Sequence, residues 1–329
     1  LGLAGLWHRF GKSGSLRIEA HAELAADGRF VVYCSAPDYG QGSATAMSLL
    51  AAEAMGVPLE RVQLVNADTA LTPDSGIQGA SRTTYWVGNA VCDAMRNLQL
   101  EILAMAAEFL DRPPSDLKLN GQKVGSVSDP SESVSLERIA QEFDKIGKSR
   151  RVIGIFDPSS LFPIETRPEY TPHFVTGAQV AEALVNMETG EVQITRVVAA
   201  HDVGRAINPV DARGQIEGAI VMGLGTALME EYIPGESTGF RDYYLPTAKS
   251  TPAIEIMLVE VPSYHGPYGA KGLAEPAMLA PAPAIINAIS RAIGVRLRET
   301  PATPERILRA VLRNREQSET DSASWWAFS

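Results

Sequence analysis

One octapeptide joins a pliant backbone to a single carboxylate: Gly269-Ala-Lys-Gly-Leu-Ala-Glu-Pro276. Pro276 follows Glu275 at once, and Ala277 to Ile293 reads as a helix. Proline is tolerated in the first turn of a helix, where its missing N–H costs nothing. Glu275 therefore stands at or just before a helix N-terminus, delivered by a loop whose glycines let the backbone come close to a ligand. Two roles fit the octapeptide alone. Glu275 is either a proton-accepting base or a carboxylate that offsets the positive end of the helix.

Three other stretches could contact a ligand. Gly40-Gln41-Gly42 precedes a helix over Ala44 to Met55, so its N–H groups can face an anion, or simply close a tight strand-to-helix turn. The polar loop Asp68 to Arg82 contains Gly76, Gly79 and Ser81, and is long for a loop without structure of its own. A helix opened by Asp211 carries Gly214, Gly218, Gly223 and Gly225. Each glycine costs roughly 1 kcal/mol relative to alanine in a helix. Something must therefore pack very close to that helix. A plain nucleotide-binding reading ranks low: no lysine of the Walker type follows Gly42, and no G-x-G-x-x-G is present.

The elements that must position these residues follow from periodicity and turn signals. Ser15–Leu24 and Arg29–Ser35 read as strands around Asp27-Gly28, and Val62–Asn66 as a third. A long helix spans Tyr85 to Leu110, a hairpin turns at Asn120-Gly121, and a polar helix covers Ser135 to Ile146. Four prolines in 157–172 mark a boundary. Beyond it come a hairpin, Val175–Leu184 with Glu191–Ala200, and a strand, Ile254–Val261. A short strand over Val295–Arg298 and a helix from Pro304 to about Leu312 complete the pattern. The tail from Asn314 reads as polar, ending in Trp325-Trp326, an aromatic pair that fits either docking or a free end.

Composition removes several classes. The chain has 329 residues, 45% hydrophobic and 21% charged, an ordinary globular balance. A net charge of −10 without a basic block argues against nucleic acid. No apolar run is long enough for a membrane span, and no signal peptide is read at the start. Cys34 and Cys92 are far apart, so neither a disulfide framework nor a cysteine-held iron–sulfur cluster is expected. The five histidines form no H-x-x-x-H pair, so a protein-ligated transition metal is not expected.

Taken in order, six segments resemble the molybdopterin-binding part of the xanthine dehydrogenase and aldehyde oxidase family of molybdenum hydroxylases. They are Gly40-Gln41-Gly42; Asp68-Thr69 to Gly79-Ala80-Ser81-Arg82; Asp202-Val203-Gly204 with Ile207-Asn208-Pro209; Gly214-Gln215-Ile216-Glu217-Gly218 with Gly223-Leu224-Gly225 and Glu230-Glu231; Gly269-Ala270-Lys271-Gly272 with Glu275; and Pro283-Ala284-Ile285 to Asn287-Ala288-Ile289. The resemblance spans about 15–312 and covers the C-terminal half of the family's molybdenum subunit. A separate chain of this kind resembles the medium subunit of nicotinate dehydrogenase.

The resemblance implies an α+β fold of two mixed α/β subdomains, 1–156 and 157–313, the second carrying Glu275, with 314–329 as a polar tail. It implies hydroxylation of an electron-poor carbon with water as oxygen source, Glu275 acting as base toward a molybdenum-bound hydroxyl and a hydride passing to the metal centre. An N-heteroaromatic ring, nicotinate- or purine-like, is the expected substrate; an aldehyde, or a non-catalytic scaffold role, is the alternative. The pterin dithiolene holds molybdenum without a protein ligand, and the cytosine dinucleotide form is expected. Pterin contacts fall on Gly40, Gln41, Gly42, the Ala80-Ser81-Arg82-Thr83 turn, Gln215, Lys271 and Gly272. Phe10 or Trp7 stands near the family's aromatic pocket wall, or is an ordinary core aromatic. The expected partners are an N-terminal-half molybdopterin subunit, a 2Fe–2S subunit and an FAD subunit, in the cytoplasm. Ala274 departs from the glycine that often precedes the family's glutamate.

Overall fold

A computed structural model describes residues 1–9, 17–157 and 174–326, with side-chain surroundings up to residue 315. Phe10 and the proline-rich 158–173 fall outside the described residues. The chain folds around two hydrophobic cores.

The first core lies under a four-stranded sheet of order β4-β3-β2-β8: β2 (Ile18–Leu24), β3 (Phe30–Cys34), β4 (Val62–Asn66) and β8 (Arg151–Phe156). Every second residue of β2 is buried, which gives one apolar face. The long helix α2 (Thr83–Leu110) covers that face, and α1 (Ser43–Met55) packs on α2. Gly154 of β8 lets the strand press on α2, because a side chain there would begin 2.0 Å from the backbone nitrogen of Ala94. A small sheet of β5 (Leu117–Asn120), β6 (Lys123–Ser126) and β7 (Ser133–Ser135) leads into α3 (Leu136–Lys145), capped by the Ser135 side chain.

The second core lies under a sheet of order β1-β9-β10-β11: β1 (Gly2–Arg9), β9 (Phe174–Val185), β10 (Val192–Asp202) and β11 (Ala253–Val259). Helices α4 (Pro209–Leu228) and α6 (Pro281–Ile293) cover one face through Ala181, Ile194, Val197, Ile220 and Ile285. The opposite face is open, with Leu3 62% and Trp7 68% exposed.

β1 is an element with no sequence signal, and it joins the sheet of the second half by pairing antiparallel with β9. Gly2 makes this possible: a Cβ there would sit 2.1 Å from the Ala288 nitrogen on α6. The single helix expected over Ala277–Ile293 is two, α5 (Ala274–Met278) and α6, because Pro281 starts a new helix at its first turn. Val295–Arg298 is not a strand. It has no partner strand among the described residues, and the Leu297 N–H donates to Ser290 Oγ instead. The last helix, α7 (Pro304–Trp326), continues well past the expected end near Leu312. No described helix is long and apolar enough to cross a membrane.

The glycines of α4 divide into two sets. A Cβ on Gly223 would meet the Pro281 ring at 2.4 Å, which no side chain allows, as the sequence required, while one on Gly225 would meet the movable end of the Glu230 side chain and, at 2.9 Å, Pro246. Gly214 and Gly218 face open space.

Candidate functional site

A cleft of about 370 Å³ opens where the two cores meet. Its walls come from the loop before α1, the turn before α2, the start of α4 and the loop that leads into α5. Gln41, Gly42, Ser81, Thr83, Gln215, Lys271, Gly272 and Glu275 all line it, so residues over two hundred positions apart meet at one place. Gly40, Ala80 and Arg82, expected at the cofactor as well, do not line it.

Arg82 is 5% exposed. Its Nη2 donates to the Ser75 carbonyl at 2.7 Å and its Nε to the Ile77 carbonyl at 2.9 Å. Its guanidinium lies over the Trp86 ring, 4.8 Å from the centroid. Arg82 therefore pins the turn before α2. Ala80 and Ser81 sit there with φ of 54° and 50°, a left-handed backbone that non-glycine residues seldom hold. The strained turn meets the loop from the other core. A Cβ on Gly272 would lie 2.0 Å from the Ser81 carbonyl oxygen, so only glycine fits. Across this contact the Glu275 N–H donates to Ser81 Oγ at 3.3 Å.

The Gly40-Gln41-Gly42 loop has its own anion. Asp38 accepts hydrogen bonds from the N–H groups of Gly40 and Ala44 at 2.9 Å each and from Gly42 at 3.4 Å. The Ala44 N–H, followed by that of Gly40, holds the Asp38 carboxyl below the usual carboxylate range. The Gln41 side chain is also committed locally, donating to the Pro37 carbonyl at 2.8 Å.

The opposite wall is more open. Asn208 caps α4 by accepting from Val210 and Asp211, and Pro209 takes its first position. The side chains of Gln215 and Arg205 face the cleft with no hydrogen bond or ion pair to the described residues. Lys271 does not share this freedom: its Nζ lies 2.6 Å from Asp202 Oδ2 at the end of β10. Beside that pair, Gly204 bridges to Ala270 with φ of 64°.

Two histidines that drew no sequence signal stand beside and beneath the helix that carries Glu275. His8 on β1 brings Nε2 within 3.8 Å of Glu275 Oε2, whose side chain is 47% exposed. Burial pulls the His8 pKa below 6.5, Glu275 opposes that shift, and Arg9 adds to it. Beneath α5, Gln179 Nε2 donates to the Ala277 carbonyl at 2.9 Å and meets His201 Nε2 at 2.9 Å. Gln179 and His201 are 0% and 1% exposed, and burial carries His201 down to about 4. Trp7 points to the open face of the sheet, stacked on Phe174 with ring centroids 4.4 Å apart, and does not line the cleft.

The molybdopterin cofactor-binding domain model matches residues 1–252. The chain belongs to that family. It is 32% identical over 293 residues to the 6-hydroxypseudooxynicotine dehydrogenase complex subunit gamma of Paenarthrobacter nicotinovorans, covering 87% of this chain and 36% of that one. It is 33% identical over 289 residues to the putative xanthine dehydrogenase molybdenum-binding subunit of Escherichia coli K12, covering 85% and 37%. The aldehyde oxidoreductase structure from Desulfovibrio gigas superposes with a TM-score of 0.78 at 29% identity, over 94% of this chain and 32% of that one. Quinoline 2-oxidoreductase of Pseudomonas putida 86 shares the fold, with a TM-score of 0.81 at 24% identity over 94% and 41%. This molybdopterin-binding chain thus spans a little over a third of the length of its curated relatives.

The cleft suits that cofactor. Gln215 offers an uncommitted amide and Arg205 an uncommitted cation, both on the wall formed by the start of α4 and the turn before it. Gly42 and Gly272 also line the cleft, Gly42 with its N–H turned to Asp38 and Gly272 packed on the Ser81 carbonyl.

Proposed function

We propose that this chain is the C-terminal-half molybdopterin subunit of a multi-chain hydroxylase, and that Glu275 is its catalytic base. The observation that carries the reading is the meeting of Ser81, Gly272, Gln215 and Glu275 at one cleft, contributed by both cores. Gln215 and Arg205 would hold the cofactor, with Thr83, Gly272 and the Gly40-Gln41-Gly42 loop shaping its bed. The cofactor, when bound, supplies a water-derived oxygen and accepts two electrons from the substrate. Ser81 fixes the backbone of Glu275 and leaves the carboxylate free in the cleft to take up a proton at Oε. Lys271, tied to Asp202, holds the loop rather than the ligand.

An N-heteroaromatic ring is the substrate class we favour, supported by similarity to a xanthine dehydrogenase subunit. The aldehyde reading has its own support in the match to an aldehyde oxidoreductase. The metal would be held by the pterin dithiolene rather than by a protein ligand, with the pterin in its cytosine dinucleotide form. Electrons leave through 2Fe–2S and FAD partner chains, and the complex works in the cytoplasm. The open sheet face around Leu3, Trp7 and Met257 is where an N-terminal-half subunit would seat.

The test is Glu275→Gln in the native complex. The expected result is loss of turnover with molybdenum and iron contents unchanged. Full activity in this variant, or a metal-free native complex, would move the chain to the scaffold role.

A further inference from the structure

Among the described residues, His8 is the only charged or polar side chain in contact with the Glu275 carboxylate. Lys271, four positions away, is committed to Asp202. His8 is carried by a strand rather than a loop, facing the buried Val175 across the β1–β9 register. The far ring nitrogen, Nδ1, is buried and has no hydrogen-bond partner among the described residues.

The contact with Glu275 selects among the states of the ring. Nδ1 has no partner among the described residues in either neutral tautomer, and protonated it would be a buried donor with no acceptor there. Only the neutral tautomer with its proton on Nε2 turns a donor toward the Glu275 carboxylate. The imidazolium form would put protons on both nitrogens and leave that same donor buried. Resting on the reading of Glu275 as base, we propose that His8 is its positioning residue: a neutral imidazole whose Nε2–H orients the carboxylate toward the cleft without adding charge beside it. A lysine or arginine at this place would hold the carboxylate too, but its charge would make it a poorer proton acceptor. The charged groups acting on the ring are Glu275 of α5 and Arg9 of β1, while β9 presents the apolar Val175.

The experiment compares His8→Ala, His8→Gln and His8→Lys in the assembled complex, with molybdenum content measured for each. In His8→Ala, kcat is expected to fall by about tenfold or more, through loss of orientation, with KM little changed. His8→Gln keeps a neutral donor and recovers most of that loss. His8→Lys keeps the contact but moves the acid limb of the kcat profile to lower pH. A second readout needs no activity. In the cofactor-free complex with labelled histidine, the ring resonance missing from His8→Gln is that of His8. It is expected to titrate below 6.5, and lower still in Glu275→Gln, where the supporting charge is gone. Equal kcat values for the alanine and glutamine variants would overturn the proposal. So would a His8 midpoint indifferent to Glu275→Gln. Full activity of Glu275→Gln would overturn the base itself, and the role of His8 with it, whatever the resonance does.

Discussion

Lys271 Nζ lies 2.6 Å from Asp202 Oδ2, and each side chain is only 10% exposed. The pair ties the loop before Glu275 to the end of β10. Removing one partner leaves the other charge buried and unmatched. Lys271→Met is expected to destabilise the protein by roughly 3 kcal/mol, and Lys271→Met with Asp202→Leu to recover much of it. Urea denaturation of the two variants and the parent checks this.

Acid should act through His201. Its folded pKa, about 4, is depressed by burial below the ordinary 6.5. The unfolded chain therefore binds the proton more readily between those values, and stability rises with pH across that window. The contribution, present above pH 6.5 and lost as pH falls toward 4, is about 3 kcal/mol. The lost acceptor is His201 Nε2, which faces Gln179. His201→Asn is expected to flatten this part of the curve. Urea midpoints measured at half-unit steps of pH, parent minus variant, isolate it from the other histidines.

Gly272→Ala should uncouple the two cores at the cleft. The new Cβ would fall 2.0 Å from the Ser81 carbonyl oxygen, so the loops must part. Stability is expected to drop by roughly 1–3 kcal/mol through overpacking. Turnover should fall on the order of 100-fold, because Glu275 moves with its loop. Steady-state kinetics with cofactor content measured in parallel separates misplacement from loss of the cofactor.

Asp38→Ala removes the carboxylate that gathers the N–H groups of Gly40, Gly42 and Ala44. A loss of roughly 1 kcal/mol is expected, the usual worth of such a cap. The depressed Asp38 pKa means this contribution is present above the ordinary carboxylate range and fades as pH falls through the folded value. Thermal melts from pH 7 downward check both statements: the variant should melt below the parent at pH 7, and the gap should narrow as pH falls below the ordinary carboxylate range.

Motif order made the site legible, and local pattern made most of the elements legible. Gly42, Ser81, Gln215 and Glu275 were all visible because glycines, caps and one carboxylate recur in a fixed order. β1 was not, because Leu3 and Trp7 occupy its uncovered face, so polarity does not alternate even though burial does. Without β1, His8 had no element to place it. Asp38 went unread for a different reason: a carboxylate next to a glycine loop reads as solvent-facing until the backbone folds back on it. The break between α5 and α6 could have been read from Pro281, whose ring cannot continue a helix that began at Ala274.

The pairing of β1 with β9 bears on the order of assembly. Residues 2–9 bond to residues 174–181, across the whole of the first core. During synthesis at about 5–20 residues per second, β1 waits unpaired for many seconds before β9 exists. The first core and the β9–β10 hairpin can condense from local contacts, whereas the addition of β1 is a long-range event. Glu275 gains His8 as a neighbour only through that long-range pairing.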